Sequence, residues 1–327
     1  MPHLSRAALT ALVLATGFLA LFPLWGDTFY IRFVTKIMVY ALFAMSLDLL
    51  VGYAGLVSLG HAAFFGIAVY AVAGLVNKAG VTSAFVLLPA ALGASAMAAA
   101  AIGWLSIRTS GVYFIMITLA LAQMLFYFFN DQKYWGGTDG MNIDQRPTLA
   151  LGDLTLLNFG SRLQLYYLAL ACLAGAFVLL AVLLRSPFGH ALVGIRANEG
   201  RMRALGYDVQ RVKLIAFVIA GTLAGLAGFL EAARSTFATP ALLGWHESGH
   251  VLVLVILGGM GTLYGPVLGA FVVLLLEDYF ATLTDRWLLI MGVFVIAVVM
   301  FLPDGLAGLF RRVASLARGR GRSAGDG

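Results

Sequence analysis

Long apolar stretches alternate with short polar or glycine-rich segments along almost the whole chain. A helix that crosses a bilayer needs about 20 mostly apolar residues, and about ten stretches approach that length. They are residues 7–25, 31–51, 60–77, 84–107, 112–129, 164–184, 213–231, 249–260, 265–281 and 287–303. The pattern therefore predicts an all-α fold, a polytopic transmembrane helical bundle over residues 1–310. The first stretch is long for a signal peptide and lacks a small-residue cleavage site, so we expect it to be retained.

Glycine and proline interrupt two of these stretches, at residues 52–60 and 258–266. Such residues break or kink helices. Broken helix ends are tolerated in a membrane only inside protein or around a cavity, and transporters use them to line substrate paths. Two interpretations stay open: pathway elements, or kinked packing sites. The pathway candidates are Asp48, Gly52, Gly55, Gly60, His61, Gly258, Gly259 and Gly261.

Composition excludes a water-soluble domain. Of 327 residues, 61% are hydrophobic and 11% charged, and the mean hydropathy is +0.95, whereas a soluble domain carries roughly 25% charged residues. The net charge of +6 does not indicate nucleic acid, because the positive residues lie at the ends of apolar stretches. The single Cys172 excludes an intrachain disulfide.

Lysine and arginine favour the cytoplasmic side of membrane proteins, which gives an orientation. The basic segment 185–213 and the basic tail 311–327 are then cytoplasmic, as are both termini. Residues 130–162 form the longest external loop. We expect the tail to be disordered and to lie near anionic lipid.

Several ionisable residues lie within or near the predicted spans, where charge is costly. Asp48 and His61 flank the first glycine-rich segment, and they either pair with each other or line a polar path. Four others fall near outer helix ends, where we expect simple solvation at the interface. They are Glu231, Arg234, Glu277 and Asp278.

His246-Glu247-Ser248-Gly249-His250 matches the H-E-x-x-H motif, which on a helix can bind zinc beside a general base. Asp304 resembles the third ligand of intramembrane metalloproteases. Against this, the predicted topology puts Asp304 at the opposite membrane edge. A proline and two glycines also weaken a helix there (Pro240, Gly244 and Gly249). We therefore expect no metal site and no catalytic residues.

A set of motifs resembles, in order, those of the permease subunit of branched-chain amino-acid ABC importers, the LivM type. The resemblance covers Lys36 to Leu309, and the joint order of the motifs is highly specific. The motifs are Gly52-Tyr-Ala-Gly-Leu-Val-Ser-Leu-Gly-His61-Ala-Ala-Phe-Phe-Gly66, residues 111–120, Trp135-Gly-Gly-Thr-Asp-Gly140, Ser186-Pro-Phe-Gly189 through Lys213, Gly258-Gly-Met-Gly-Thr262, Gly265-Pro266-Val-Leu-Gly269-Ala270 and Leu302-Pro303-Asp304-Gly305-Leu306.

The resemblance implies a bacterial inner-membrane subunit that is not an enzyme and has no cofactor of its own. A periplasmic binding protein delivers the substrate, a second homologous permease subunit pairs with this chain, and two ATP-binding subunits supply energy. The absence of a Gly-x-x-x-x-Gly-Lys-Ser/Thr motif from the chain fits this division. Segment 185–213 is similar to the cytoplasmic loop that docks on the ATPases and should contain a short coupling helix. Its candidate coupling residues are Arg196, Asn198, Glu199, Arg201 and Gly206.

One departure concerns the coupling segment, where Arg201-Met202 replaces the usual pair of alanines and puts the fine geometry of docking in question. Three alternative functions stay open. The same scaffold could import urea, amides or small aromatic acids. The chain could be a zinc protease acting through His246, Glu247 and His250, or a secondary transporter that works without partner chains.

Overall fold

The computed structural model describes residues 16–151, 154–302 and 305–308. The tail 311–327, Asp304 and residues 7–15 of the first predicted span lie outside the described residues. The helices are α1 (Thr28–Asp48), α2 (Ala62–Ala79), α3 (Ala84–Ser106), α4 (Val112–Asp131), α5 (Arg162–Arg185), α6 (Pro187–Ala197), α7 (Glu199–Ala204), α8 (Val209–Ser235), α9 (Trp245–Gly258), α10 (Gly265–Leu283) and α11 (Trp287–Phe301). Residues 16–21 and 305–308 are also helical.

Helix α1 is the centre of the bundle. A wide π-helical turn, Leu49–Ala54, continues it, and the 27-residue unit spans about 40 Å. Its most apolar window is 94% buried, whereas the corresponding windows of α3, α4, α5 and α10 are 22–28% buried. Helices α5, α8, α9 and α10 all pack on α1. The outer helices therefore present large apolar side chains to lipid, and α1 is enclosed by protein.

Small residues allow α8 to approach α2 and α3 closely. A Cβ on Gly221 would overlap Ala99 of α3, and a Cβ on Gly225 would overlap Ser95. Ser95 also donates a hydrogen bond across to the Phe64 carbonyl of α2 (2.8 Å). These small residues thus serve ordinary helix packing in lipid.

The predicted external loop 130–162 is more structured than the sequence suggested. Two 3₁₀ turns, Lys133–Trp135 and Gly137–Asp139, follow α4. Strand β1 (Met141–Asn142) then pairs antiparallel with β4 (Phe237–Ala238), and β2 (Thr148–Leu151) forms a hairpin with β3 (Leu154–Asn158). The alternating apolar pattern of so short a hairpin is hidden among the longer apolar stretches.

Among the described residues, seven helices are long and apolar enough to cross a membrane. They are α1 with its π-helical turn, α2, α3, α4, α5, α8 and α10. Helix α9 has 14 residues and α11 has 15, so each is shorter than the roughly 20 residues of a full span. The structure confirms a helical membrane bundle, and the number of about ten spans stays a prediction.

Candidate translocation path and coupling segment

The two glycine-rich breaks meet each other at one end of the bundle. A carboxylate oxygen of Asp48, at the end of α1, accepts a hydrogen bond from the Gly261 amide (2.8 Å). Asp48 is 2% exposed, and a buried carboxylate without such a donor would be costly. This bond therefore ties the segment after α1 to the segment between α9 and α10.

Arg196 of α6 reaches the same place from the basic segment. Its guanidinium donates a hydrogen bond to the Gly52 carbonyl, one of the last carbonyls of the broken helix. Such carbonyls have no partner within their own helix and need an outside donor. Segment 185–213 and both breaks thus share one junction, which we call the inner junction: Asp48, Gly52, Arg196 and Gly261.

Two glycines are required by the tight packing of the inner junction. A Cβ on Gly52 would overlap the Asp48 carboxylate and the Gly261 amide. Gly261 has φ +72°, a left-handed conformation that favours glycine, and a Cβ there would lie 3.0 Å from the Gly52 carbonyl oxygen. The sequence predicted a break at both places, but it gave no sign that the two breaks touch.

The other predicted pathway glycines lie beside the inner junction or farther along the same segments. Gly55 ends the π-helical turn beneath the Arg196 side chain, and Gly60 packs on the Thr118 backbone of α4. Gly258 ends α9 against the Gly265 carbonyl, and Gly259 packs on Gly305. The predicted break was wrong at its start, because residues 52–54 continue the helix as a π-helical turn.

His61 and Asp48 do not pair with each other. The His61 ring lies 2.9 Å through Nε2 from the Ser46 hydroxyl of α1 and stacks on Phe43 (5.6 Å between centroids). It is fully buried, and its Nδ1 has no hydrogen-bond partner among the described residues. Asp48 bonds to the Gly261 amide instead. The pairing interpretation is therefore wrong.

The coupling segment consists of two short helices, and its last residues already belong to α8. Helix α6 follows α5 directly, with Pro187 in its first turn. The Asn198 side chain caps α7 by accepting a hydrogen bond from the Arg201 amide (2.9 Å). Gly206, with φ +86°, ends α7, and the next amide, that of Tyr207, donates to the Met202 carbonyl (3.1 Å). This is a Schellman-type helix end.

Glu199 holds α7 against α8. Its two carboxylate oxygens accept hydrogen bonds from Arg203 (2.5 Å) and from Lys213 of α8 (2.7 Å). Lys213 is 5% exposed. Partial burial raises the pKa of Glu199, but hydrogen bonds and charge from Lys213 and Arg203 outweigh this and hold the pKa below its usual range. Glu199 thus orders the coupling segment from within.

The remaining coupling candidate, Arg201, is exposed on α7. Its neighbour Met202 packs its sulfur onto Gly194 of α6, where a Cβ would lie 2.8 Å away. Two apolar residues just beyond α7 are also exposed: Leu205 is 67% and Tyr207 47% exposed. These residues give α7 an exposed surface at the same end of the bundle as the inner junction.

A second group of ionisable residues lies closer to the other end of the bundle. We call it the charged cluster: Lys36, Tyr40, Glu231, Arg234, Glu247, His250 and Glu277. Glu231 accepts two hydrogen bonds from Arg234 (2.6 and 2.8 Å), and His250 lies 2.8 Å through Nε2 from Glu277. The prediction of simple interfacial solvation is therefore wrong for Glu231, Arg234 and Glu277.

The H-E-x-x-H motif does lie on a helix, contrary to the prediction that proline and glycine weaken one there. Gly244 is the N-cap of α9, where glycine is acceptable, and Pro240 lies in a separate 3₁₀ turn. His246 is exposed and stacks on Trp245, while His250 bonds to Glu277. Within the described ranges, no group of three His, Cys, Asp or Glu side chains could hold one metal ion.

The sequence pattern did not single out Lys213 as a functional residue. It also did not indicate that Arg196 points inward to contact Gly52. Lys213 lies at the edge of a charged segment, where side chains are usually solvated. Only the fold shows that its ammonium group contacts Glu199. The one available signal was its position at the start of an apolar stretch. For Arg196, no pattern distinguishes an inward-pointing arginine from one that meets a partner.

A helical membrane bundle with interrupted helices and a short polar helical segment at one end fits a membrane transport protein. Residues 29–302 match the family described as "Branched-chain amino acid transport system / permease component". The chain belongs to this family. Its function is therefore that of a transport component, and the protease interpretation is not favoured.

Individual relatives agree with the family. The chain is 30% identical over 307 residues to the high-affinity branched-chain amino acid transport system permease protein LivM of Salmonella typhimurium, covering 88% of this chain and 72% of that protein. LivM of Escherichia coli K12 is 30% identical over 304 residues, covering 87% and 71%. The xylose transport system permease protein XylH of Escherichia coli K12 is 30% identical over 137 residues, covering 40% and 34%. No solved structure is significantly similar.

Proposed function

We propose that this chain is the membrane-spanning subunit of an ATP-driven importer for leucine, isoleucine and valine. A periplasmic binding protein delivers the amino acid, a second homologous permease subunit completes the path, and two ATP-binding subunits dock on the coupling segment. Both termini face the cytoplasm of a bacterial inner membrane. The chain binds no nucleotide and no other cofactor, and it works as a mechanical converter, not as an enzyme.

The observation that carries this proposal is the contact between Arg196 and Gly52. It connects the segment that we expect to dock on the ATPases with a helix break at the end of the central helix. Because Gly52 also packs on Gly261, a movement of α6 acts on both breaks at once. Alternating access in transporters needs such a rigid link between a partner-driven element and discontinuous helices.

Charge supports the cytoplasmic placement of the inner junction. Arg185, Arg196, Arg201, Arg203 and Arg211 all lie on segment 185–213, next to the junction. Positive residues concentrate on the cytoplasmic side. A secondary transporter would need no exposed α7 surface, whereas Leu205 and Tyr207 leave apolar area there for a protein partner.

The docking role of α7 is tested by changing its exposed surface and leaving Glu199 untouched. We expect Leu205→Asp to abolish co-purification of the ATP-binding subunits, because a charge replaces an apolar contact, and to leave the chain inserted. Tyr134→Asp, on an exposed aromatic of the external loop, is the matched control and should retain the ATPases.

Substrate identity is tested with the assembled transporter in proteoliposomes. Uptake of labelled leucine that requires ATP and the binding protein would support the proposal. Uptake of urea or amides in place of branched-chain amino acids would contradict the substrate assignment. Unchanged ATPase co-purification in Leu205→Asp would contradict the docking surface.

A further inference from the structure

The charged cluster lies between the middle of α1 and the ends of α8 and α10 that point away from the inner junction. Tyr40 lies close to the middle of the 27-residue unit formed by α1 and its π-helical turn. Glu247 contacts the Tyr40 hydroxyl, and the His250 ring packs edge-on against the Tyr40 ring (5.7 Å between centroids). Substrate sites of many transporters lie at this depth and are built from discontinuous helices.

Two helices, the short α9 and the full-length α2, begin beside the cluster. Helix α9 starts at Trp245 and has only 14 residues; Trp245 and His246 are exposed, and Ser248 is the first buried residue of the helix. Its Ser248 hydroxyl accepts a hydrogen bond from the Ala62 amide at the start of α2 (2.9 Å). Glu247 lies in the first turn of α9, where the helix dipole favours a negative charge.

Most of the charges in the cluster neutralise one another. Glu231 pairs with Arg234, and His250 pairs with Glu277. Two groups have no such hydrogen-bonded, oppositely charged partner among the described residues, although each interacts electrostatically with the other and with His250. One buried carboxylate oxygen of Glu247, Oε1, has no hydrogen-bond partner, and the Lys36 ammonium forms no ion pair.

The two remaining charges lie around the same aromatic ring. The Lys36 ammonium is 5.8 Å from the centre of the Tyr40 ring, and the Glu247 carboxylate meets the hydroxyl of that ring. Lys36, Glu247 and His250 are only partly buried. Charged groups at this depth do not face lipid, so this side of α1 and α9 borders protein or an aqueous path.

We propose that Lys36 and Glu247 form the contact site for the charged end of a zwitterionic α-amino acid on its way through the path. Once a side-chain movement exposes it, the buried free oxygen of Glu247 accepts hydrogen bonds from the α-ammonium group, and Lys36 donates to the α-carboxylate. The Tyr40 ring lies between the two. This inference rests on the proposed function and adds the residues that contact the transported amino acid.

The chemistry of the site favours a zwitterion over other small cargo. One open positive group and one open negative group complement a molecule that carries one charge of each sign. A cation would be repelled by Lys36 and would leave it without a partner. An anion would be repelled by Glu247 and would leave that carboxylate without a partner. Urea and simple amides carry no charge and gain nothing from either group.

The test is equilibrium binding of tritiated leucine to the complete transporter in lipid nanodiscs, without nucleotide and without the binding protein. Two competitors each lack one charged group: leucinamide has no carboxylate, and 4-methylpentanoate has no ammonium. We expect wild type to prefer leucine to either by at least about tenfold, the value of one charged hydrogen bond. Lys36→Met should erase the preference over leucinamide only, and Glu247→Gln the preference over 4-methylpentanoate only.

Asp278→Asn serves as the matched control, because Asp278 lies on α10 next to Glu277 but outside the cluster. It should keep both preferences. Both test variants must still co-purify with the ATP-binding subunits, which separates a lost contact from a lost fold. If Lys36→Met does not assemble, Lys36→Arg is used in its place, and if Glu247→Gln does not assemble, Glu247→Asp is used. These charge-conserving variants should keep the preferences. Unchanged preferences in assembled variants, or no leucine binding to wild type, would overturn the site. The proposed function is tested separately: if wild type takes up leucine in the proteoliposome assay, that function stands although the site is overturned.

Discussion

At the scale of single residues, Arg196 occupies a position that the sequence assigned to partner contact. Its guanidinium instead bonds inward to Gly52, while Arg201 stays exposed. Sequence patterns reveal that a charged segment exists, but the direction of each long side chain depends on the fold. The same holds for Asp48. His61 was a predicted partner, but in the structure Asp48 bonds to the Gly261 amide.

We predict that Arg196→Met uncouples ATP hydrolysis from uptake. The Gly52 carbonyl would lose a charged hydrogen bond worth about 1.5–3 kcal/mol, so movement of α6 would no longer act on the break. Leucine uptake should fall at least about tenfold, and ATPase association and hydrolysis should persist.

Arg108→Met is the control for this variant, because Arg108 is exposed and its guanidinium lies over the Trp104 ring (4.2 Å), away from the inner junction. It should show wild-type uptake. Equal losses of uptake and of ATPase association in Arg196→Met would show that Arg196 serves the dock and not the inner junction.

At the scale of elements, α7 is a six-residue helix that local contacts hold together. Asn198 caps its start, Gly206 ends it, and Glu199 binds it to Lys213. A helix this short is not stable alone. The cap and the end glycine were readable from the sequence, but the bond to Lys213 was not, because it joins residues on two helices.

We predict that Glu199→Gln loosens α7 because it leaves the buried Lys213 ammonium without its counter-charge. Amide hydrogen exchange over residues 199–206 should become faster. Adding Lys213→Met should restore most of the protection, since the unpaired charge is then gone. No difference between the single and double variants would contradict a role for this pair.

The same pair sets a pH dependence. Because the pKa of Glu199 in the folded chain lies below its usual value of about 4.3, its stabilising effect is fully present above that value. It is lost as the pH falls through the lowered pKa. Exchange over residues 199–206 should therefore be flat with pH, after correction for intrinsic rates, from neutral down to about pH 5. Protection that falls already between pH 7 and pH 6 would point to another group.

At the scale of the whole molecule, the hydrophobic pattern predicted the class of fold and most of the helices. Span boundaries moved by a few residues: the stretch predicted at 213–231 is helical from Val209 to Ser235. The pattern failed where structure depends on distant neighbours. The strands β1 and β4 are almost a hundred positions apart, and each has only two residues, too few to show a period.

The orientation of the bundle can be tested with an impermeant maleimide on intact cells. In a background with Cys172→Ala, we predict that Tyr134→Cys reacts from outside and Arg211→Cys reacts only after the membrane is opened. Both positions are exposed, so the difference reports sidedness. Reaction of Arg211→Cys in intact cells would reverse the proposed topology.

The β1–β4 ladder, which the proposed topology places outside the membrane, has a consequence for the speed of docking. The Asn77 side chain of α2 donates to the Asn142 carbonyl (2.6 Å) and accepts from the Asp144 amide (3.1 Å), and the Ile143 amide donates to Thr236 (2.9 Å). Three distant stretches are thereby fixed into one surface before any partner arrives. A binding protein that meets such a pre-ordered surface has little segment folding to wait for. We therefore expect the encounter rate to be set by diffusion and by salt-sensitive steering, not by rearrangement of this loop.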